Sequence, residues 1–512
     1  MATIVSSIGL KGLEGYRVHV EVQLMPGVEG VSIVGLPNAS VKESKDRVMS
    51  ALYANDCQIP DKKVIINLSP AEQQKNSPIF DLAMAIGAMY EAGVIQDKIP
   101  KGAAFLGVLS LDGSIKPVGG MLPAVLAAKN EGFSILYLPW MEDFPLSRLG
   151  GMELRFVRTL REVIESFSGQ LSVFNPSIIS SNIAEEPTSS DYKRDFKHIL
   201  GHEKAKRALE IAAAGGHNVL MSGPPGCGKS LLAETFSSIL PKLTEDARYE
   251  VMSIYQLSGL PNKAFHIAPF RNPHHSSSAV SLIGGGSNPK PGEVSLAHRG
   301  VLFLDEMAEF PKRTLDMLRQ PIETGKVTIS RASSTVTYPA QFLLLGAMNP
   351  CPCGYLGSRH FYCTCSPNQI TAYANRVSGP IQDRMDILLY LQAVALNKET
   401  MEGNEESEVI RGRVTKARER QYARYGAEIL NANVSQEWIL EHVKLSSDQQ
   451  KMVQQWSTQY NWSTRVQMKV LRIARTIADL QDVHAISNES LWEAMTLRRT
   501  VKSKEQKTPL AR

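Results

Sequence analysis

Gly223-Pro224-Pro225-Gly226-Cys227-Gly228-Lys229-Ser230 satisfies the G-x-x-x-x-G-K-[ST] spacing of a phosphate-binding loop. It is preceded by an apolar run, His217 to Met221, that reads as a strand, and followed by Leu231 to Glu234, which reads as a helix. Strand, loop and helix in that order are what the motif requires. The glycines let backbone N–H groups turn inward, and the helix N-terminus adds positive potential, so the segment Gly223 to Leu231 can cradle a polyphosphate. Lys229 can reach the β- and γ-phosphates, and Ser230 can ligate Mg²⁺. Downstream, Val301-Leu302-Phe303-Leu304 runs into Asp305-Glu306. A buried strand delivering two carboxylates at its C-terminal edge suits metal-dependent hydrolysis of a nucleoside triphosphate. Asp305 would hold Mg²⁺ through water, and Glu306 would orient and polarise the attacking water.

These groups must be positioned by a large chain. Its 512 residues suggest about three domains. With 43% hydrophobic and 21% charged residues the composition is that of a globular protein. There is no run of about 18 apolar residues, so no membrane span is expected. The first residues, MATIVSSIGLKGLEGYRV, lack the basic and apolar regions of a secretory signal. Six cysteines without such a signal point to a reducing cytoplasm. The net charge of +5 permits a nucleic-acid partner without demanding one.

Residues 1–168 alternate apolar runs (Arg17–Leu24, Val64–Leu68, Ala103–Leu109, Ile135–Leu138) with helical patterns at Asp81–Ala92 and Met121–Asn130, an α/β or α+β reading. A polar linker follows within 169–190. Residues 191–393 carry the nucleotide motifs, with a helix expected at Leu315–Glu323. A hairpin is expected at Lys326–Ser330 and Thr335–Tyr338, and a strand at Phe342–Met348. The acidic stretch Asn397–Glu408 reads as a loop. Residues 394–500 are helical in pattern, most clearly at Val409–Tyr425 and Thr464–Leu480, and 501–512 read as a frayed tail.

The segments GGGSNPKPGEVSLAHRGVLFLDE and NPCPCG, with VGLPNASVKESKDRV near the start, make the chain resemble the magnesium-chelatase-like AAA+ ATPases of the ComM/YifB type, over nearly its whole length. The resemblance implies an α/β fold with an AAA+ phosphate-loop core, an insertion in its second helix, a hairpin before sensor 1 and a helical lid. It implies ATP and Mg²⁺ as ligands and a homo-hexameric assembly. It also implies DNA helicase activity driving branch migration in natural transformation, with single-stranded or branched DNA and recombination proteins as partners. By position, Asn349 falls at sensor 1, Arg384 at the arginine finger, with Arg376 a second candidate, and Arg465 at sensor 2. A guanidinium at the finger position neutralises charge developing on the transferred phosphoryl group.

Pro117–Pro139 and Gln74–Gly87 resemble the proteolytic domain of Lon-type proteases, an α+β domain of the ribosomal protein S5 domain 2-like kind. The resemblance sets the serine–lysine dyad at Ile79 and Leu122, which cannot do that chemistry. Ser77 lies two residues from the nucleophile position. The domain is therefore expected to be a non-catalytic ring or DNA-contacting module, not a protease.

Cys351, Cys353, Cys363 and Cys365 fall within fifteen residues and could close a tetrahedral Zn²⁺ site, with His360 as a substitute ligand. The alternative is four reduced thiols in a loop. Cys57 and Cys227 look incidental. His274-His275 reads as a hydrogen-bonding pair in the insertion. Arg411, Arg413, Lys416, Arg418, Arg420 and Arg424, and then Arg465, Lys469, Arg472 and Arg475, read as solvated helix faces, or else as phosphate contacts or, for the second set, as nucleotide sensing with packing across subunits. For DNA, Lys326 and Arg331 flank the hairpin and could track a phosphate backbone, with Lys290 of the insertion beside them as a candidate. The rival readings are an ATP-driven protein or cofactor remodeller, like the magnesium-chelatase motor subunit or MoxR-type chaperones, and a DNA-binding scaffold whose ATPase sets only its oligomeric state.

Overall fold

The computed structural model describes residues 2–57, 59, 62–141, 144, 151–167, 194–260, 265–286, 289–331, 335–358, 361–394 and 404–498. The linker, most of the acidic stretch, His360 and the tail lie outside them.

Period-two alternation of Val18, Val20 and Val22 inward builds the long strand Glu14–Pro26, third in a seven-stranded mixed sheet. The strands run in the order Gly30–Val34, Lys62–Ser69, Glu14–Pro26, Thr3–Lys11, Ala103–Phe105, Ile135–Pro139, Glu153–Val157. The helices Asp81–Glu91 and Met121–Asn130 pack on it and supply a nearly all-buried layer of Leu, Ala, Met and Val. The expected run Ala103–Leu109 divides in two. Leu106 and Gly107 break it, and Val108–Leu109 pairs instead with Ile115–Lys116 in a separate two-stranded ribbon. The core of this unit continues onto Tyr249 and Met252 of the helix Glu245–Ser258, and the Leu122 backbone N–H donates to Gln256 Oε1 at 2.9 Å. The N-terminal unit is thus docked on the nucleotide unit.

The second sheet has five parallel strands in the order Phe270–Arg271, Val301–Leu304, Leu343–Met348, Val219–Ser222, Ile387–Tyr390. Val301–Leu304 and Leu343–Met348 are buried on both faces, as near-continuous apolar runs require. The register Ser222↔Met348 and Leu304↔Gly346 brings the phosphate loop, Asp305 and Asn349 to the same sheet edge. That edge, outside the carboxyl ends of parallel strands, is where open α/β sheets bind ligands.

One expected helix, Leu315–Glu323, is two: Lys312–Asp316 and Arg319–Thr324. Pro321 has no N–H to offer the carbonyl four residues back, so the first helix stops at Asp316. The hairpin forms at Lys326–Ser330 and Thr335–Pro339. The C-terminal region comprises five α-helices among the described residues: Ser407–Tyr425, Gln436–His442, Ser447–Tyr460, Thr464–Leu480 and Asn488–Arg498. Ser407 already belongs to helix, so the expected loop ends earlier than Glu408. Thr464–Leu480 packs on the helix Glu203–Gly215 of the nucleotide unit, as does Ser407–Tyr425.

Candidate nucleotide-binding site

Gly226 and Gly228 hold φ of +75° and +86°, the left-handed region that side chains disfavour. A Cβ at Gly223 would lie 2.6 Å from the Leu391 carbonyl oxygen. The loop therefore closes only with glycine, and the helix Lys229–Phe236 begins at its end. Lys229 Nζ donates to the carbonyls of Gly223 (2.7 Å) and Pro224 (3.0 Å) and to Asn349 Oδ1 (3.2 Å). Burial lowers its pKa, opposed by Cys227, Asp305 and Glu306. The Cys227 side chain is buried against the sheet, so only its backbone faces a ligand.

Ser230 Oγ donates to Asp305 Oδ2 at 2.8 Å. Two hard oxygens converging beside a phosphate loop fit Mg²⁺, which would take Ser230 directly and Asp305 through water. Glu306 stands at φ +48°, an uncommon conformation for a non-glycine residue, and its side chain is largely exposed. His275 Nδ1 lies 3.3 Å from Glu306 Oε2, while His274 Nδ1 and Ser276 Oγ are 2.7 Å apart. The two imidazoles pack at 4.1 Å. The His275–Glu306 contact was missed from sequence. Its signal is that both histidines closely follow the strand Phe270–Arg271, which pairs with the strand Val301–Leu304 that leads into Asp305 and Glu306.

Each candidate arginine is engaged within its own chain. Arg384 pairs with Glu323 at 2.5 Å and donates to the Pro380 carbonyl at 2.7 Å. Arg376 pairs with Glu309 at 2.6 Å. Arg465, 62% exposed, pairs with Asp383 at 2.9 Å. The other basic residues correct one part of the sequence reading: for the most part they are not a solvated face but are engaged within the chain. Lys469 Nζ donates to the carbonyls of Asp383 and Met385 and pairs with buried Asp386 at 3.0 Å. Arg472 donates to the Val434 carbonyl, and Arg475 pairs with Asp479 at 2.9 Å. Arg413 pairs with Glu210, Arg418 donates to the Ala213 carbonyl, and Arg424 pairs with Asp479. They tie the lid helices to the helix Glu203–Gly215, to the segment leading into the strand Ile387–Tyr390 and to one another, and Lys416 remains exposed.

The hairpin buries Val327, Ile329, Val336 and Tyr338 on one face. Its outer face carries Lys326, Thr328, Ser330, Thr335 and Thr337, with Arg331 at the tip. The Tyr338 hydroxyl donates to the Pro289 carbonyl at 2.8 Å, which holds the insertion against the hairpin. A Cβ at Gly285 would sit 3.5 Å from Arg331 Nη2. Lys290 is exposed and pairs with Gly285 across the short ribbon of the insertion. Lys290, Lys326 and Arg331 form no ion pair among the described residues. In the N-terminal unit, Ile79 and Leu122 are both buried aliphatic side chains, so the two dyad positions hold no nucleophile and no base.

The comparisons with known proteins agree with this geometry. Residues 195–399 match the family described as magnesium chelatase, subunit ChlI, residues 20–142 match subunit ChlI of Mg-chelatase, and residues 404–498 match the ChlI C-terminal region. The YifB protein of Escherichia coli (strain K12) is 36% identical over 500 residues, covering 97% of both chains. The competence protein ComM of Haemophilus influenzae is 37% identical over 506 residues, covering 98% of both. The chain belongs to the magnesium-chelatase-like family of the ComM/YifB type. It is accordingly an AAA+-type ATPase, with ATP and Mg²⁺ the ligands that its phosphate loop and Asp305 suit. The magnesium-chelatase 67 kDa subunit of Chlorobaculum parvum is more distant, 27% identical over 161 residues, or 30% of this chain and 23% of that protein. No helix among the described residues is long and apolar enough to cross a membrane.

Proposed function

We propose that the protein is a cytoplasmic homo-hexameric motor that hydrolyses ATP to move along single-stranded or branched DNA and drive branch migration. The observation that carries the reading is the hairpin Lys326–Pro339. Its outer face offers a cation at each end and four hydroxyls between, and it rises from the unit that holds the nucleotide. Lysine, arginine, serine and threonine are the residues that hold phosphate oxygens without reading bases. In this reading Lys229 holds the β- and γ-phosphates, Ser230 and Asp305 hold Mg²⁺, and Glu306 orients the attacking water. Asn349 and Arg465 sense the γ-phosphate. Arg384 leaves Glu323 to act on a neighbouring subunit's nucleotide. Zn²⁺ on the four-cysteine loop completes the ligands. The kinship to a protein named for competence is in keeping with a role in natural transformation or recombination, with proteins of those processes as partners.

The test is binding of single-stranded, duplex and four-way DNA, with and without ATP, across a salt series. Phosphate tracking predicts little sequence preference and affinity that falls steeply with salt as counterions are released. Absence of binding and of ATPase stimulation by every form of DNA would favour a protein remodeller instead.

A further inference from the structure

The loop from Pro350 to Cys365 connects Asn349 to the helix Pro367–Ala374, and its described residues contain no helix or strand. It exposes Phe361 and Tyr362 at 62% and 89%, and among its described residues Cys351 is the only buried side chain, so apolar burial does little to fix its shape. A loop of this length without internal structure is uncommon in a compact unit unless something holds it. What converges at its centre is sulfur. The four thiols of Cys351, Cys353, Cys363 and Cys365 all lie within 4.8 Å of one another. Sγ of Cys351 is 3.3 Å from that of Cys353 and 3.7 Å from that of Cys363, and Cys353 to Cys363 is 3.6 Å. Sulfurs bound to one tetrahedral Zn²⁺ at about 2.3 Å stand about 3.8 Å apart, whereas a disulfide would bring a pair to about 2.0 Å. The Cys353 backbone N–H donates to Cys365 Sγ at 3.4 Å, a bond that stabilises a thiolate.

The loop also touches the nucleotide site. Cys351 is fully buried two residues after Asn349, whose Oδ1 accepts from Lys229 Nζ. The Gly354 N–H donates to the Cys351 carbonyl in a turn at φ +83°, and a Cβ at Gly354 would lie 2.8 Å from Pro225 Cδ and 3.9 Å from Asn349 Cγ. On its other side the Tyr390 hydroxyl donates to the Leu356 carbonyl at 2.9 Å. The cysteine loop is therefore wedged between the phosphate loop and the strand Ile387–Tyr390.

We propose that Cys351, Cys353, Cys363 and Cys365 hold one Zn²⁺ in a closed, structural four-thiolate site, and that this metal-clipped loop positions Asn349 and Pro225 for the nucleotide, an inference that rests on the ATPase reading above. Binding exchanges the thiol protons for the metal, and the protons leave to solvent. With four protein ligands no coordination position is left open for substrate, so the metal acts through the loop and the cysteines are positioning residues.

The test begins with metal analysis of full-length protein purified without added metal, with about one Zn²⁺ per chain expected. Exchange for Co²⁺ should give the intense visible bands of a tetrahedral thiolate site. No stoichiometric metal, or an iron–sulfur chromophore, overturns the zinc site. The brace is tested separately. Zinc is removed from the wild type with 1,10-phenanthroline, and ATP binding and turnover are measured in excess Mg²⁺ before and after zinc is restored. Turnover should fall about tenfold or more and recover with zinc. The Cys363→Ser, Cys365→Ser protein should lack the metal and show the same loss. Gly354→Ala should keep the metal and Co²⁺ spectrum yet weaken ATP binding by pressing on Pro225, a readout that survives if the serine variant fails to fold. Metal present and removable, with ATP binding and turnover unmoved in both experiments, leaves the zinc site standing and refutes the brace. Zinc present and required, but no DNA response, would refute the DNA motor reading alone.

Discussion

Acid should loosen the junction of lid and sheet through one histidine. His217 is buried where the sheet meets the lid helix Thr464–Leu480, 2.8 Å from Thr476 Oγ1 and 4.0 Å from Asp386. Burial, opposed by Asp386, lowers its pKa from 6.5 to about 4. The folded value is below the unfolded one, so the neutral ring stabilises the fold fully above pH 6.5. As pH falls below 6.5 the unfolded chain takes up a proton that the native ring refuses, and that stabilisation is lost until about pH 4. At about 1.4 kcal/mol per pH unit, the loss approaches 3 kcal/mol by pH 4.5. Asp386, whose pKa is depressed below 3.8 with Lys469 and His217 opposing its burial, loses its contribution only at lower pH and does not enter this window. His217→Gln keeps a donor toward Thr476 without the titration. Urea unfolding followed by tryptophan fluorescence, to which Trp438, Trp456, Trp462 and Trp492 of the lid contribute, should show a wild-type midpoint that falls from pH 7.5 to 4.5. The fall should be smaller in the variant by a margin worth about 2–3 kcal/mol. Contributions of His202 and His298 are common to both proteins and cancel. Equal pH dependence in the two would show that His217 does not carry the acid sensitivity.

Lys229→Ala should abolish ATP binding, measured by titration with a fluorescent nucleotide, because it removes the group that caps the phosphate loop. Glu306→Gln should bind ATP normally and lose about 10²-fold or more of its turnover, the typical worth of a positioned acid–base group. Near-normal hydrolysis would remove Glu306 from its role. Mixing inactive Arg384→Ala with inactive Lys229→Ala should restore some ATPase, because a mixed ring contains interfaces with one sound half from each. No recovery where subunits exchange would refute action between subunits.

The nucleotide site was legible because its parts are contiguous motifs on strands of a parallel sheet. Gly223–Ser230 and Val301–Glu306 carry their structural context in their own sequence, and the hairpin and the lid helix Thr464–Leu480 follow their hydrophobic periods. Strands such as Gly30–Val34, whose side chains are only partly buried, escaped because half-exposed edge positions leave a weak pattern. The basic series in the lid misled for a different reason. Helical spacing records that charges share a face but not what faces them. Here the face meets Glu210, Asp386, Asp479 and a row of backbone carbonyls. The same limit hid Glu323 beside Arg384 and His275 beside Glu306, pairs separated by 61 and 31 positions in sequence.

The proposed motor uses ATP turnover to move DNA past the hairpin, and branch migration of a labelled four-way junction measures that movement. The wild type should convert junction to products only with hydrolysable ATP. Glu306→Gln should bind the junction without moving it. Replacing Lys326 and Arg331 by neutral residues should slow migration and blunt DNA-stimulated turnover while basal ATPase stays near the wild-type rate, since neither side chain touches the nucleotide site. Migration that proceeds equally in the Glu306→Gln protein, or a wild type that hydrolyses ATP yet never moves a bound junction, would contradict it.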